Sequence, residues 1–198
     1  MTTSLETTPP KQPLAFAIRR ERLSDIAARE ALLDLCFGED RDGRTCQRLR
    51  EGRLAADGLA FSATHRRRLV GTVRLWHVLA GGKDALLLGP LAVEPALQSF
   101  GIGAALMRHA IEQARLRCFK AIVLLGDAPY YERFGFAAAK AAQLVLPGPF
   151  ERERLLGLEL EDCALDGAWG MIVATGKLTP EARGHRRGRV KRLAATAV

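Results

Sequence analysis

The sequence predicts an α/β fold in which a mixed, mostly antiparallel sheet is flanked by helices. Residues 69–78 and 85–93 form apolar runs separated by a Gly-Gly dipeptide, which is typical of an antiparallel hairpin. The apolar period then becomes helical over residues 101–118, and another apolar run follows at 121–125. Because a strand, a helix and a second strand in this order usually form a parallel crossover, we expect one parallel pair within the sheet.

The first quarter of the chain predicts one short strand and two helices. Residues 14–18 form an apolar run that is typical of a strand. Ser24 can cap a helix that Gly38 ends, since a hydroxyl can accept an orphan amide hydrogen bond and glycine tolerates the terminal conformation. The apolar residues of this helix recur at helical spacing: Ala28, Ala31, Leu32, Leu35 and Cys36. Thr45 can cap a second, shorter helix that ends near Gly52.

The remaining elements complete the sheet around this central unit. Apolar residues alternate with smaller or polar ones from 59 to 63, which predicts a further strand. A short helix is expected within residues 127–134. Later strands are expected at 144–146 and 171–175, with a helix over 150–160 between them.

Length and composition predict one domain with two appendages. The chain has 198 residues, of which 48% are hydrophobic and 26% charged, as in ordinary globular proteins. We predict a flexible leader over residues 1–13, a single domain over 14–176 and a basic tail over 177–198. The tail holds seven basic residues and one acid, so it carries +6 of the net charge of +8. Such a terminal block of like charge is typical of a solvated tail.

Several classes of protein are disfavoured by the same sequence. No apolar run approaches the roughly 18 residues of a membrane helix, and residues 1–13 hold no apolar signal-peptide core. We therefore expect a cytoplasmic protein without a membrane partner. The four cysteines lie far apart without a C-x-x-C pair, which predicts neither a metal site nor a disulfide framework. They are Cys36, Cys46, Cys118 and Cys163.

A glycine-containing loop, residues 98–104, joins a buried strand to an amphipathic helix. Its sequence is Gln98-Ser99-Phe100-Gly101-Ile102-Gly103-Ala104. Glycine lets a backbone approach a ligand closely, and the free amides of a helix start attract phosphate. A Rossmann fingerprint would need a small residue where Leu106 stands, and a Walker A loop would need Gly-Lys-Ser/Thr. The loop therefore indicates a phosphate site of another kind, unless it is only a tight structural turn.

Two motifs in this order resemble the GNAT acetyltransferase superfamily. Leu91-Ala92-Val93, a proline two residues later and Gln98-x-x-Gly101-x-Gly103 before the helix resemble its motif A. Tyr131-Glu132-Arg133-Phe134-Gly135-Phe136 resembles its Y-x-x-x-G-F element, and residues 126–131, with the pattern G-D-x-x-Y-Y, resemble a bacterial subgroup. The resemblance covers about residues 14–150.

The resemblance implies an acetyl-CoA-dependent N-acetyltransferase that acts on the primary amine of a small molecule or peptide. Amides of the loop from Gln98 to Ala104 are expected to hold the pyrophosphate of acetyl-CoA. Leu91, Ala92 and Val93 are expected along the pantetheine arm. Tyr131 is expected to protonate the leaving thiolate, which suits a phenol because it is neutral at pH 7. Family members are often dimers, which leaves a homodimer open.

The base that receives the proton of the attacking amine is left open by the sequence. Some family members carry an acid on the strand before Val93, but residues 86–90 contain no carboxylate. Asp127 follows the next strand and is the nearest candidate, although it could equally cap the following helix. Glu94 lies past the end of the strand and is expected to be solvated, and His77 is expected to be a structural histidine unless its ring points inward. A water relay from backbone carbonyls is a further candidate.

The resemblance implies an acceptor site formed by residues 37–53, the end of the 69–78 strand and residues 146–154. Four arginines there could attract an anionic acceptor or a CoA phosphate, or could form a solvated helix face: Arg41, Arg44, Arg48 and Arg50. Trp76 and Phe150 are expected either in an apolar pocket or in the core.

Two other functions compete with the enzyme. The missing strand carboxylate favours a CoA-binding module without catalysis. The arginine-rich tail favours nucleic-acid binding, but the tail has no aromatic residue to stack on bases, so this role is expected to be accessory at most.

Overall fold

The computed structural model describes residues 14–183. The predicted leader and residues 184–198 of the predicted tail lie outside this part. The described strands are β1 (Ala17–Arg20), β2 (Ala60–His65), β3 (Arg68–Ala80), β4 (Lys83–Val93), β5 (Ala121–Leu125), β6 (Leu144–Val145), β7 (Leu155–Glu159) and β8 (Gly170–Ala174). The helices named here are α1 (Ile26–Phe37), α2 (Gln47–Arg50), α3 (Ile102–Arg115) and α4 (Ala128–Tyr131).

The strands form one mixed sheet with the order β1-β2-β3-β4-β5-β7. β8 pairs with β3 and with the short β6. β4 and β5 run parallel, joined by α3, and β6 and β8 form a second, short parallel pair. All other described pairs are antiparallel. The predicted fold class is therefore confirmed.

The parallel pair separates after only two residue pairs. Residues 86–87 of β4 lie beside residues 122–123 of β5. Beyond them β4 continues against β3, while β5 continues against β7. The register of β4 also shifts around Gly89 and Pro90, whose peptide bond is cis. A gap consequently opens between the second half of β4 and the end of β5, where side chains and ligands can enter the sheet.

Helix α3 packs on one face of the sheet through the predicted apolar stripe. Leu106, Met107, Ala110 and Ala114 are fully buried, whereas Cys118, the predicted end of the stripe, is exposed. The helix crosses β3 at Gly71, where a Cβ atom would lie 3.0 Å from Leu106 Cδ1. Glycine at this position therefore lets the helix approach the sheet closely, and this contact holds the start of α3 beside β4.

The prediction of a helix over residues 150–160 is wrong. Residues 152–154 form a single 3-10 turn, and β7 then pairs antiparallel with β5 along its whole length. The run Leu155-Leu156-Gly157-Leu158 is buried on both faces. Such a strand has no polar alternation, so its periodicity cannot distinguish it from a buried helix.

The predicted cap of α1 is also wrong, and of its predicted apolar face only Leu32 is buried, with Cys36 packed beside it. Ser24 lies in a 3-10 turn before the helix, and Asp25 occupies the N-cap position. The Asp25 carboxylate accepts hydrogen bonds from Arg19 at 2.6 and 2.8 Å, and this partner holds its pKa well below the usual range. The buried face of the helix holds Leu32, Leu33 and Arg29, while Ala28, Ala31 and Leu35 are exposed. Arg29 can be buried because it pairs with Glu21 at 2.5 Å.

Candidate functional site

Two cavities lie at the gap in the sheet and share Leu91. The first, called here the glycine groove, has a volume of about 490 Å³ and runs along the second half of β4 to the start of α3. The second, called here the arginine cavity, has a volume of about 670 Å³ and extends from residues 88–91 to α2 and the loop before β7. The second half of β4 therefore borders both cavities, and the end of β5 borders the arginine cavity.

The glycine groove contains most of the residues predicted to bind a cofactor. Those that line it are Leu91, Val93, Gln98, Ser99, Gly101, Ile102, Gly103 and Ala104. Ala92 does not line it, because its side chain points to the opposite face of β4 and packs beneath α1 with Leu32 and Leu33. Phe100 also lies outside the lining.

The start of α3 gives the groove its electrostatic character. Gly101 precedes the helix with φ 82° and ψ 0°, a left-handed conformation that glycine adopts at little cost. The first amides of a helix have no partner within the helix, and no side chain caps this one among the described residues. Since α3 is 14 residues long, its dipole adds partial positive charge at this end. This end of the groove therefore suits a phosphate group.

Tyr130 and Arg133 also line the groove, although the sequence motifs did not place them there. A Cβ atom on Gly103 would lie 2.8 Å from the Tyr130 hydroxyl, so this glycine allows the tyrosine to approach the helix start. The Arg133 guanidinium lies 4.2 Å from the centre of the Tyr130 ring. Tyr130 and Arg133 are three residues apart in a helical segment, and this spacing was the sequence signal that could have placed them side by side. Arg133 adds a cation to a groove already suited to anions.

Tyr131 lines the arginine cavity and is held by its own local backbone. A Cβ atom on Gly126 would lie only 2.2 Å from Tyr131 Cε2, so the ring packs directly on the glycine. Tyr130 and Phe136 contact the ring edge-on, at centroid distances of 4.9 and 6.0 Å. Burial raises the pKa of Tyr131 to about 12, and Tyr130 and Asp127 contribute to the rise. The phenol therefore keeps its proton at neutral pH.

Asp127 lines the same cavity, at the N-cap position of α4. Its side chain makes no capping hydrogen bond. The carboxylate is 77% exposed and pairs with Arg154 Nη2 at 3.2 Å. The capping prediction is therefore wrong, and the role of Asp127 as a base stays a prediction.

The other two candidate bases lie outside both cavities. Glu94 pairs with Arg68 at 3.5 Å. His77 lies on β3 with its ring 5.4 Å from that of Phe119, in a packed aromatic contact. Neither side chain therefore lies near Leu91, where the two cavities meet.

The arginine cavity is roofed by two segments that are far apart in sequence. The Thr45 hydroxyl donates to the Pro149 carbonyl at 2.5 Å, and Arg48 Nη1 donates to the Pro147 carbonyl at 2.8 Å. Thr45 therefore ties the roof together, and the prediction that it caps α2 is wrong, since Cys46 occupies the N-cap position. These bonds join residues 45–48 to residues 147–149, which contribute Thr45 and Pro149 to the cavity lining.

Of the two aromatic residues considered for the acceptor pocket, only Phe150 lines the arginine cavity. Trp76 belongs to the core, where its Nε1 donates to the Gly89 carbonyl at 2.6 Å. This bond holds the irregular part of β4 in place.

Among residues 14–183, four arginines line the cavity: Arg41, Arg44, Arg50 and Arg154. Arg48, which the sequence pattern groups with them, points instead to the roof carbonyl. The carboxylates in the lining are Asp127 and Glu151. Formal positive charge therefore exceeds negative charge in this cavity.

Within residues 14–183, no helix has the length and hydropathy needed to cross a membrane. In the same range, no three His, Cys, Asp or Glu side chains come together in a way that could hold a metal ion.

Comparisons with known proteins agree with this geometry. The model of the acetyltransferase (GNAT) domain family matches residues 56–138. The N-acetyltransferase YhbS of Escherichia coli strain K12 is 29% identical over 157 residues, which cover 78% of this chain and 93% of YhbS. The crystal structure of Escherichia coli YhbS in complex with CoA superposes with a TM-score of 0.70 and 28% identity, over 86% of this chain and 94% of that one.

A second solved structure resembles the chain in both sequence and fold. A GNAT family acetyltransferase from Brucella melitensis, in complex with acetyl-CoA, is 30% identical over 72% of this chain and 95% of its own, with a TM-score of 0.55. The sheet with its separated parallel pair, the two motifs and these relatives lead to one conclusion. The chain belongs to the GNAT family and is an N-acetyltransferase.

Proposed function

We propose that the chain transfers the acetyl group of acetyl-CoA to the primary amine of a small molecule or peptide. The observation that carries this proposal is the position of Tyr131. Its protonated phenol lies in the arginine cavity, which meets the glycine groove at Leu91. An acid is therefore available where a thioester held in the groove would face an acceptor in the cavity.

The glycine groove is the proposed binding site of acetyl-CoA. The amides at the start of α3 bind the pyrophosphate, and Arg133 adds a positive charge beside it. The pantetheine arm lies along the edge of β4 that Leu91 and Val93 expose, where β5 has moved away. The relatives support this donor, since YhbS was crystallised with CoA and the Brucella melitensis enzyme with acetyl-CoA.

The proposed reaction forms a C–N bond and breaks a C–S bond. The free amine attacks the thioester carbon and gives a tetrahedral intermediate with an ammonium nitrogen. Asp127 accepts the proton of that nitrogen, directly or through water, and its exposure lets the proton pass to solvent. The C–S bond then breaks with its electron pair on sulfur, and Tyr131 donates a proton to the thiolate. The products are the amide and CoA, and Tyr131 regains its proton from water.

The proposal is tested with the full chain, acetyl-CoA and a panel of primary amines. Amine-dependent release of the CoA thiol is measured, and the acetylated product is identified by mass spectrometry. A parallel series with longer acyl-CoA donors is expected to give lower kcat/KM than acetyl-CoA. If thiol release is the same with and without every amine while CoA still binds, the chain acts as a CoA-binding module and the proposed reaction is wrong.

A further inference from the structure

Arg50 lines the arginine cavity with a positive charge that no carboxylate of residues 14–183 matches. Its guanidinium is largely buried, and no carboxylate of residues 14–183 forms an ion pair with it. Its Nε also has no hydrogen-bond partner in this part of the chain. Burial lowers the pKa of Arg50, the nearby Cys46 opposes this shift, and the neighbouring Arg41, Arg44 and Arg74 lower the pKa further. The guanidinium remains charged at neutral pH, because its ordinary pKa is far higher.

Two of the other arginines of the cavity have acidic partners. Arg41 pairs with Glu30 and with Asp34, the latter at 2.7 Å. Arg154 pairs with Asp127 at 3.2 Å. Their charges are therefore largely neutralised by the protein.

Arg44 is also engaged, although by weaker contacts than an ion pair. It donates to the Phe37 carbonyl at 3.1 Å and stacks on the Phe37 ring, with its Cζ 5.1 Å from the ring centre. Its side chain is exposed, so water solvates the rest of its charge. Arg50 thus differs from its neighbours, because it has no acidic partner among the described residues and only limited access to water.

The surroundings of Arg50 keep it free for a ligand. Its Nη1 lies 3.7 Å from the point where a Cβ atom of Gly89 would stand, beside the irregular part of β4. An acidic side chain at that point of the strand would pair with the guanidinium and neutralise it. Residues 86–90 contain no acid, so the positive charge stays open to the cavity.

Leaving a charged group buried without a partner is costly, and a ligand with the opposite charge removes that cost. The planar guanidinium donates two parallel hydrogen bonds to a carboxylate or a phosphate. We propose that Arg50 binds an anionic group of the acceptor, so that the substrate is a small amine that also carries a carboxylate or a phosphate. This inference rests on the proposed acetyl transfer, and it assigns the substrate class of the same site.

The size and position of the cavity agree with such an acceptor. A cavity volume of about 670 Å³ suits a small molecule rather than a folded protein surface. The phosphates of CoA have their own proposed site at the start of α3, on the other side of Leu91. Arg50 is therefore left for the acceptor.

The test compares matched amines that differ in one anionic group: phosphoethanolamine against ethanolamine, and β-alanine against its amide. The wild type is expected to acetylate the anionic member of at least one pair with a kcat/KM about 10- to 100-fold higher, the usual value of a charged hydrogen bond. Arg50→Gln should abolish that preference by raising KM for the anionic amine only. Arg50→Lys should keep part of it, because the charge remains while the paired geometry is lost. Arg20→Gln, an exposed site outside both cavities, serves as the charge-matched control.

Anion binding is also measured without turnover, by the Tm of CoA-loaded protein in increasing inorganic phosphate. Phosphate should raise the Tm of the wild type and of Arg20→Gln but not that of Arg50→Gln. Equal phosphate effects in the wild type and Arg50→Gln, or a wild type that prefers the neutral amine in both pairs, would overturn the inference. If no amine is acetylated, the proposed reaction fails, and loss of the phosphate effect in Arg50→Gln still supports the anion site.

Discussion

The glycine groove and the arginine cavity are neighbours built in different ways. The groove comes mainly from one continuous segment, residues 91–104, and its character depends on backbone amides and on glycines. The cavity is assembled from four separate segments: residues 33–50, 88–91, 125–131 and 149–154. Its character depends on charged side chains. A ligand recognised through backbone geometry can be encoded by a short motif, whereas selection of the second substrate depends on which side chains the fold brings together.

The largest expected effect tests whether the catalytic acid is a residue of the arginine cavity rather than one of the glycine groove. Tyr131→Phe removes the proposed acid and keeps the ring, so kcat is expected to fall by about 10²- to 10⁴-fold. The Kd for CoA, measured by isothermal titration calorimetry, should stay unchanged, since Tyr131 does not line the groove. A kcat close to that of the wild type would assign the proton to another donor.

The pH profile tests the same residue without mutation. An ordinary tyrosine loses its proton near pH 10, but burial raises the pKa of Tyr131 to about 12. The acid form is the active one, so the raised pKa preserves activity up to high pH. At saturating amine and acetyl-CoA, kcat should not decline between about pH 7 and 10. A falling limb with a midpoint near 10 would contradict the buried phenol as the acid.

The next largest effect tests the backbone support of the cavity. In Gly126→Ala the new Cβ would meet Tyr131 Cε2 at 2.2 Å and Cδ2 at 2.9 Å, so the ring must move. Misplacement of a catalytic group by about 1 Å costs roughly 10²-fold in rate. We expect that loss in kcat, with CoA binding retained. Gly176→Ala is the control, because its Cβ would make an ordinary 3.4 Å contact with the Leu54 carbonyl. Equal kcat values for the two variants would show that the ring position is not critical.

The same contrast explains which features the sequence could predict. The hairpin, α3 and the glycine loop depend on neighbours in the chain, so periodicity and glycine spacing indicate them correctly. Strand β7 resembles a helix in sequence because a strand covered on both faces has no polar alternation. Arg41 and Arg50 look equivalent in the sequence, yet within residues 14–183 Arg41 pairs with two acids and Arg50 with none. That difference arises from long-range packing, which no local pattern records.

A smaller effect is expected in the groove alone. Gly101→Ala places a Cβ in open space but forces alanine into the left-handed conformation, at about 1–2 kcal/mol. If that strain shifts the start of α3, the Kd for CoA should rise by about 5- to 30-fold. Gly101→Asn should recover most of the affinity, because asparagine tolerates this conformation better. An equal Kd in both variants and the wild type would mean that these amides do not hold the donor. The preference among amines should not change in either variant.

The smallest expected effect is on the free energy of unfolding. It is a gain in stability, whereas the other variants lose activity or affinity. Arg50→Met removes a buried guanidinium that has no acidic partner among residues 14–183, and the flexible thioether can fill its space. The free energy of unfolding, measured with urea in the absence of ligands, is expected to rise by about 0.5–2 kcal/mol. Arg41→Met is the matched control: it leaves Glu30 and Asp34 without their partner, so its stability should fall. A less stable Arg50→Met would mean that the arginine supports the fold. A more stable variant that has lost its preference for anionic amines would mean that the cavity retains Arg50 for binding, at a cost to folding.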